Sequence, residues 1–81
     1  MRIDKYLKVS RLIKRRTVAN QACDGERISV NGRQVKPSYQ VKPGDVIEIA
    51  YGQRTLKVEV TDVSETATKA GASAMYREIA D

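Results

Sequence analysis

Apolar side chains near the start of the chain recur at helical spacing. Ile3, Tyr6 and Leu7 occupy positions i, i+3 and i+4, the stripe with which a helix packs against a core. This pattern predicts a first short helix over residues 3–9. A small apolar pair follows the helix and is expected to pack inward: Leu12 and Ile13.

A second apolar stripe at helical spacing occupies positions i, i+1, i+4 and i+5, and is made of Val18, Ala19, Ala22 and Cys23. It predicts a helix over about residues 17–24. Thr17 is a residue type that caps helix N-termini, and Gly25 stands where glycine often ends a helix. We therefore expect the second helix to begin at Thr17 and to end near Gly25.

The middle of the chain changes to the two-residue period of strands. Ile28 and Val30 alternate with polar residues, and the Asn31-Gly32 pair that follows is a strong signal for a tight hairpin turn. After the Pro43-Gly44 turn, two more alternating segments predict strands, VIEIAY over residues 46–51 and RTLKVEV over residues 54–60.

These elements predict an α+β fold in which two short N-terminal helices pack on a small, curved, mainly antiparallel sheet. The segment over residues 64–81 is rich in Ala and Thr and low in bulky side chains, which favours a weak C-terminal helix or a flexible tail. We accordingly expect one domain over residues 1–63, followed by that segment.

Charge is distributed unevenly along the chain, whose 81 residues carry a formal net charge of +5. Residues 1–36 contain ten Lys/Arg and three Asp/Glu, whereas residues 37–81 contain five and seven. A strongly basic half favours a polyanionic partner, with nucleic acid first and an acidic membrane surface second.

Several classes of function are disfavoured by composition. The chain has no His and one Cys, so it lacks the commonest general base and a zinc ligand set. We expect neither an enzyme nor a cofactor or metal site. No apolar run approaches the roughly 20 residues that span a bilayer, and nucleic acid is the favoured polyanion, so we expect no membrane partner. A single Cys allows no internal disulfide, which favours a reducing cytoplasm. Cys23 lies on an apolar helix face and is expected to be a buried thiol.

Three cations, Lys14, Arg15 and Arg16, stand directly before the second predicted helix. A helix N-terminus carries partial positive charge and favours anions, so this placement has an unfavourable local energy of about 0.3–1 kcal/mol per charge. A bound phosphate reverses that balance, because it accepts hydrogen bonds from free N–H groups and from arginine side chains. The three residues therefore predict a phosphate cradle, and a solvated basic loop is the simpler alternative.

The order and spacing of several short motifs resemble the small RNA-binding module named after ribosomal protein S4. The matching residues are Arg2-Ile3-Asp4-x-x-Leu7, Arg16 with Ala19, Ile28-Ser29-Val30-Asn31-Gly32, Lys36-Pro37-Ser38 and Val41-x-x-Gly44-Asp45. Within this family, the DKYLKVSRLIKRRT segment and the Met75-Tyr76 tail are similar to the stand-alone members of bacterial ribosome-associated quality control.

The resemblance implies the fold called the αL RNA-binding motif and a set of RNA-contacting residues, with Arg16 as the best candidate. The predicted RNA-binding residues are Arg16, Arg15, Lys14, Arg2, Lys5, Lys8, Arg11, Thr17, Asn31, Arg33 and Lys36. Asp4 matches a family position and is predicted to position the site by pairing with a nearby arginine or by capping the first helix.

The resemblance also implies partners. They are 23S rRNA in a large ribosomal subunit obstructed by peptidyl-tRNA, the tRNA itself, and an RqcH-type factor that adds a template-free C-terminal tail on the same subunit. The protein is expected to act there as a monomer and to assist alanine tailing without catalysis.

Two positions depart from the family pattern. Arg15 stands where the module usually has a helix-capping Ser, and Glu26 stands where it usually has Gly. The first change weakens the cap and adds charge, and the second affects the turn between the second helix and the first strand.

Two other functions remain open at this stage. One is a heat-shock-type ribosome-recycling protein, and the other is a DNA-binding regulator that uses the two helices as a helix-turn-helix. The second helix disfavours DNA recognition because Asn20 and Gln21 are its main candidates for reading bases. Tyr6 is expected to pack in the core, whereas Tyr39 and Tyr51 are possible base-stacking residues.

Overall fold

Two short helices precede an antiparallel sheet in the computed structural model, which describes residues 1–63 and 75–79. The helices are α1 (Ile3–Val9) and α2 (Arg16–Asp24). The strands are β1 (Ile28–Val30), β2 (Arg33–Gln34), β3 (Val46–Tyr51), β4 (Arg54–Val60) and β5 (Tyr76–Glu78). The predicted α+β fold, with helices packed on a mainly antiparallel sheet, is confirmed.

The described strands form one sheet in the order β2-β1-β3-β4-β5, and every neighbouring pair is antiparallel. The β1–β2 hairpin closes through Asn31 at φ 53° and Gly32 at φ 85°. Two successive residues at positive φ make the hairpin turn that Asn-Gly favours, and they set the Val30–Arg33 register. The hairpin predicted from the sequence is therefore confirmed.

The core lies between α1 and one face of the sheet. Ile3, Tyr6 and Leu7 are fully buried, as their spacing predicted, and Ile13 is buried after them. From the sheet, alternate residues of three strands face these side chains: Ile28, Val30, Ile47, Ile49, Val58 and Val60. Because α1 is fixed by this packing, the polar residues at its N-terminal end hold a defined position.

The start of α2 differs from the prediction. Thr17 is not the N-cap: the helix begins at Arg16, and Arg15 is the N-cap in extended conformation, without a capping hydrogen bond from its side chain. The Arg15 carbonyl accepts the first intrahelical bond, from the Ala19 N–H at 3.0 Å, so Thr17 already lies inside the first turn. Val18 is also exposed, because it lies about 100° around the helix from the buried Ala19.

The C-terminal segment also differs where the structure describes it. Residues 76–78 form a strand rather than a helix or a tail, because β4 offers a free edge on which Val60 pairs with Tyr76. Met75 is fully buried just before this strand. The rest of the predicted helix or tail, residues 64–74 and 80–81, lies outside the described residues, and the domain boundary after residue 63 stays a prediction.

One buried hydrogen bond joins the first helix to Met75, the residue before this strand. The Tyr6 hydroxyl donates to the Met75 carbonyl at 2.6 Å. We expect Tyr6→Phe to lower the free energy of unfolding by about 1–2 kcal/mol, because the carbonyl loses its buried donor. Urea denaturation measures the change, with Tyr76→Phe as the matched control because the Tyr76 side chain is half-buried. Equal losses of unfolding free energy in the two variants would contradict a specific contribution of this hydrogen bond to stability.

The turn between α2 and β1 contains a strained residue. Glu26 lies at φ 62°, in the left-handed region, at the position where the family pattern has glycine. An L-residue in this region costs roughly 1–2 kcal/mol. Glycine avoids this strain, but part of the gain is lost because glycine loses more conformational entropy on folding.

We therefore expect Glu26→Gly to raise the free energy of unfolding by about 0.5–1 kcal/mol. Urea denaturation provides the measurement. Glu26→Ala is the control, because it removes the carboxylate and keeps the strained Cβ. A glycine variant no more stable than the alanine variant would contradict the strain.

Candidate nucleic-acid interface

A buried carboxylate organises the basic end of the molecule. Asp4, in the first turn of α1, is 2% exposed. Its Oδ1 accepts the Lys5 N–H at 2.7 Å and lies 3.4 Å from Nη2 of Arg16. Its Oδ2 lies 3.3 Å from Nη2 of Arg2 and 3.4 Å from Nδ2 of Asn20. We call Arg2, Asp4, Arg16 and Asn20 the Asp4 cluster.

Backbone contacts fix the end of α1 that carries this cluster. The Ile3 N–H donates to the Tyr39 carbonyl at 2.7 Å, and the Asp4 N–H donates to the Pro37 carbonyl at 3.3 Å. Arg2 forms an isolated bridge with Gln40. The loop after β2 therefore holds α1 in place, and it brings the backbone of Lys36, which precedes Pro37, to the same end of the molecule.

The surroundings of Asp4 keep it ionised. Burial raises its pKa, but hydrogen bonds from Asn20, Arg16 and the Lys5 N–H, together with the positive charge of Arg16, outweigh burial. The pKa of Asp4 is therefore held below its ordinary value. At neutral pH the negative charge of Asp4 therefore lies in contact with two arginine side chains.

Among the described contacts, Asp4 meets only one nitrogen of each guanidinium, so most N–H donors of the two arginines remain for another ligand. The Arg2 and Arg16 side chains are 45% and 47% exposed. A guanidinium has five N–H donors, and one carboxylate balances one of the two positive charges. The cluster is therefore net positive, and its exposed guanidinium groups have the planar fork that binds a phosphate.

The start of α2 adds backbone donors beside Arg16. The first N–H groups of a helix have no intrahelical partner, and the Arg15 side chain does not cap them. A shallow depression lies at this point, lined by Asp4, Arg16, Thr17, Asn20 and Gln21. An anion in the depression would meet arginine donors and the positive end of the helix.

The remaining predicted cations lie in the loop between the helices, along α1, and in or just after the hairpin. Lys14 and Arg15 are exposed in the loop that enters α2, and Arg11 lies in the same loop at φ 65°. Along α1, Lys8 is exposed and Lys5 is half-buried. Arg33 and Lys36 are exposed in and after the hairpin, and the described hydrogen bonds and ion pairs of the Asp4 cluster do not include them.

Asn31 has a structural task in the hairpin. Its Nδ2 donates to Asp45 Oδ1 at 3.2 Å, and its Oδ1 accepts the Val46 N–H at 3.0 Å. Both ends of the amide are therefore engaged within the fold. Its predicted contact with RNA stays untested, but these bonds favour the role of a turn residue.

Three tyrosines have different environments. Tyr6 is buried, which confirms its predicted packing. Tyr39 is half-buried and donates to Asp45 Oδ2 at 3.1 Å. Tyr51 is 44% exposed and donates to the Leu12 carbonyl at 3.2 Å. Only the last of the three offers substantial surface to a ligand.

Cys23 is 5% exposed, and burial raises the pKa of its thiol to about 11. At neutral pH it is therefore a protonated core residue, as its position on the helix predicted. Over the residues that the structure describes, no three potential metal ligands come together. The same residues include no helix long and apolar enough to cross a bilayer.

Two residues of the site were considered from the sequence only as candidates for reading DNA bases, and were not included among the predicted RNA-binding residues. Asn20 contacts Asp4, and Gln21 lines the depression. The signal for Asn20 was its place four residues after Arg16, since residues four apart share a helix face. Arg16 and Asn20 therefore lie on one face of α2, and both contact Asp4.

Residues 1–47 match the S4 domain, which covers the Asp4 cluster, both helices and the hairpin. The chain belongs to the S4-domain family. It is 51% identical over 76 residues to the RQC P-site tRNA stabilizing factor of Bacillus subtilis, covering 94% of this chain and 88% of that protein. The factor of the same name from Streptococcus pneumoniae is 47% identical over 81 residues, covering 100% of this chain and 92% of that protein.

A solved structure with the same fold is the trimeric structure of heat shock protein 15 from Vibrio cholerae. It is 30% identical and has a TM-score of 0.89, covering 99% of this chain and 82% of that one. The family resemblance identified from the sequence motifs is thereby confirmed.

Proposed function

We propose that this S4-domain protein binds RNA on a large ribosomal subunit obstructed by peptidyl-tRNA, and that it stabilises the tRNA there. The observation that carries the proposal is the Asp4 cluster beside the uncapped start of α2. It presents two exposed guanidinium groups that both contact Asp4, and both lie within the matched S4 domain. Oriented arginines at a helix N-terminus form a site for backbone phosphate.

We propose different roles for the residues of this surface. Arg16 and Arg2 hold a phosphate over the depression, and Asp4 positions both of them. Lys14, Arg15, Arg11 and Lys8 extend the positive surface along the loop and α1, where they attract neighbouring phosphates. Such contacts fix the orientation of a protein on a folded RNA, whose shape supplies the specificity.

The role in ribosome-associated quality control is supported by the relatives. Proteins named RQC P-site tRNA stabilizing factor share about half of their residues with this chain over almost its whole length. We propose that 23S rRNA and peptidyl-tRNA are the RNA partners. Holding the tRNA would help an RqcH-type factor to extend the stalled chain, and the protein itself contributes binding rather than catalysis.

A density gradient tests this proposal. A lysate that contains the tagged protein is fractionated, and the RNA that co-purifies with the protein is sequenced. We expect the protein on free large subunits together with tRNA. Protein at the top of the gradient, without RNA, would exclude the proposed function.

The heat-shock-type recycling function is a second candidate, because the structural likeness to heat shock protein 15 spans 99% of this chain. The higher identity to the quality-control factors favours the first candidate. Tail addition to stalled chains in cells that lack the protein separates the two. Reduced alanine tailing supports quality control, whereas normal tailing with slower subunit recycling supports the heat-shock-type function.

A further inference from the structure

Tyr51 is the exposed aromatic residue of the described sheet. It ends β3, and 44% of its surface is accessible, although most of the large apolar residues in the described ranges are buried. Its hydroxyl is not free, because it donates to the Leu12 carbonyl at 3.2 Å. The phenol is therefore tethered at its tip while the residue remains open to a ligand.

The neighbours of Tyr51 provide charge of both signs. Arg54 lies directly opposite on β4, in register with Tyr51. The two residues line a surface depression together with Thr55, Leu56 and Glu78. A ring, an aliphatic side chain, a cation and a carboxylate thus meet in one concave place.

One hydrogen bond connects this depression to the basic loop between the helices. Leu12, the partner of the Tyr51 hydroxyl, lies in the loop between the helices. That loop also carries Arg11, Lys14 and Arg15, all exposed. An RNA strand held by these cations would therefore pass beside Tyr51.

We propose that Tyr51 is a stacking platform for an unpaired RNA base next to the phosphate-binding surface. This inference rests on the proposed function and extends it from phosphate contacts to a base contact. Stacking on an aromatic ring accepts any base, and an adjacent arginine strengthens it. The Glu78 carboxylate repels phosphate and accepts hydrogen bonds from base N–H groups, so the depression suits a base rather than the backbone.

Two alternatives use the same residues. In the first, the Tyr51 hydroxyl only holds the basic loop through Leu12, and the ring makes no contact with RNA. In the second, Tyr51 and Arg54 contact a protein, since both residue types are frequent in protein interfaces. The hydrogen-bonded connection to the cationic loop favours RNA.

The test compares a single-stranded RNA of roughly twelve nucleotides with an abasic ribose-phosphate strand of the same length, by fluorescence anisotropy at low salt. The variants are Tyr51→Leu, which removes the ring, and Tyr51→Phe, which keeps the ring and removes the hydroxyl. Gln53→Ala, a change at an exposed residue of the adjacent turn, is the control. Circular dichroism verifies that each variant is folded.

The wild type is expected to prefer the base-bearing strand. Tyr51→Phe and Gln53→Ala should keep this preference, and Tyr51→Leu should lower binding of that strand roughly fivefold to a hundredfold, towards the abasic level. Equal losses in the Phe and Leu variants would overturn stacking in favour of the tether. Unchanged binding by the Leu variant, or a wild type without preference for bases, would also overturn it.

The failure of stacking can be distinguished from the failure of the proposed function. If only stacking is wrong, the wild type still sediments with large subunits, and Tyr51→Leu sediments with them equally well. If the proposed function is wrong, the wild type itself does not sediment with them.

Discussion

Arg16→Ala is expected to weaken binding to obstructed large subunits by roughly tenfold to a hundredfold. The substitution removes a guanidinium that contacts Asp4 and belongs to the first residue of α2. A hydrogen bond to a charged partner contributes about 1.5–3 kcal/mol, and each 1.4 kcal/mol changes an affinity about tenfold. Equilibrium binding of the labelled protein to purified subunits measures the loss.

Two comparisons separate the effect of this arginine from charge alone. Lys42→Ala removes the same charge from an exposed position in the turn before β3, and it should bind almost like the wild type. Arg16→Lys keeps the charge but loses the planar fork, and it should fall between the two. Arg16→Ala binding as tightly as Lys42→Ala would show that Arg16 holds no phosphate.

The fold should tolerate the loss of Arg16. Its ion pair with Asp4 is long, and the arginine side chain is 47% exposed. Asp4 is buried, but three donors still contact its carboxylate when Arg16 is lost, namely Arg2, Asn20 and the Lys5 N–H. We therefore expect a cost of about 1 kcal/mol. Thermal unfolding of Arg16→Ala is therefore expected to resemble that of the wild type, so that weaker binding cannot be attributed to unfolding.

Asp4→Asn is expected to reduce stability and binding together. The neutral amide has one acceptor oxygen in place of two. Its NH₂ group would face N–H donors of the arginines or of Asn20. We expect the free energy of unfolding at neutral pH to fall by about 1–3 kcal/mol. Binding should also weaken, because Arg2 and Arg16 lose the carboxylate that orients them.

The pH dependence of this loss identifies the carboxylate. The pKa of Asp4 is lower in the folded protein than in the unfolded chain, so its contribution is present above the unfolded value, about 3.9. The contribution disappears as the pH falls through the folded pKa. Urea denaturation of both proteins should therefore show a stability gap that is constant near neutral pH and closes below about pH 4.

Asp24→Asn is the control for this series. Asp24 is an exposed carboxylate at the last turn of α2, and its loss should change stability by less than about 0.5 kcal/mol. A stability gap for Asp4→Asn that persists unchanged into acid would contradict an ionised Asp4 with a lowered pKa.

Local patterns were sufficient for most of the fold. The i, i+3, i+4 stripe predicted α1 over the residues where it lies, because three apolar side chains at that spacing need one buried face. The Asn31-Gly32 pair predicted the hairpin because its turn needs two residues at positive φ. Alternation likewise predicted β3 and β4, whose inward residues are buried.

Features set by distant contacts were not predictable in this way. Residues 76–78 form β5 because β4 has an edge to pair with, and nothing in the local composition indicates that edge. The N-cap was misplaced because Thr17 has the side chain of a cap, whereas the chain enters the helix at Arg15 without one. Glu26 adopts positive φ although its residue type disfavours that region.

The candidate site was only partly foreseeable. The resemblance implied Arg16 and Asp4 as site residues, and the structure brings them within 3.4 Å of each other. Asn20 was overlooked because a polar residue on a short helix usually faces solvent, and its partner lies sixteen positions away. The Asp45 network was also missed, since it joins Asn31 of the hairpin turn to Tyr39 and Asp45 of the β2–β3 loop, and these segments have no common sequence pattern.

Binding of the labelled protein to large subunits with and without peptidyl-tRNA tests the proposed function most directly. The Asp4 cluster and the basic loop are proposed to contact RNA of a subunit that still holds its tRNA. We therefore expect at least tenfold tighter binding to the obstructed subunit, and we expect Arg16→Ala to lose most of that advantage. Equal affinity for obstructed and empty subunits would contradict the stabilisation of the tRNA.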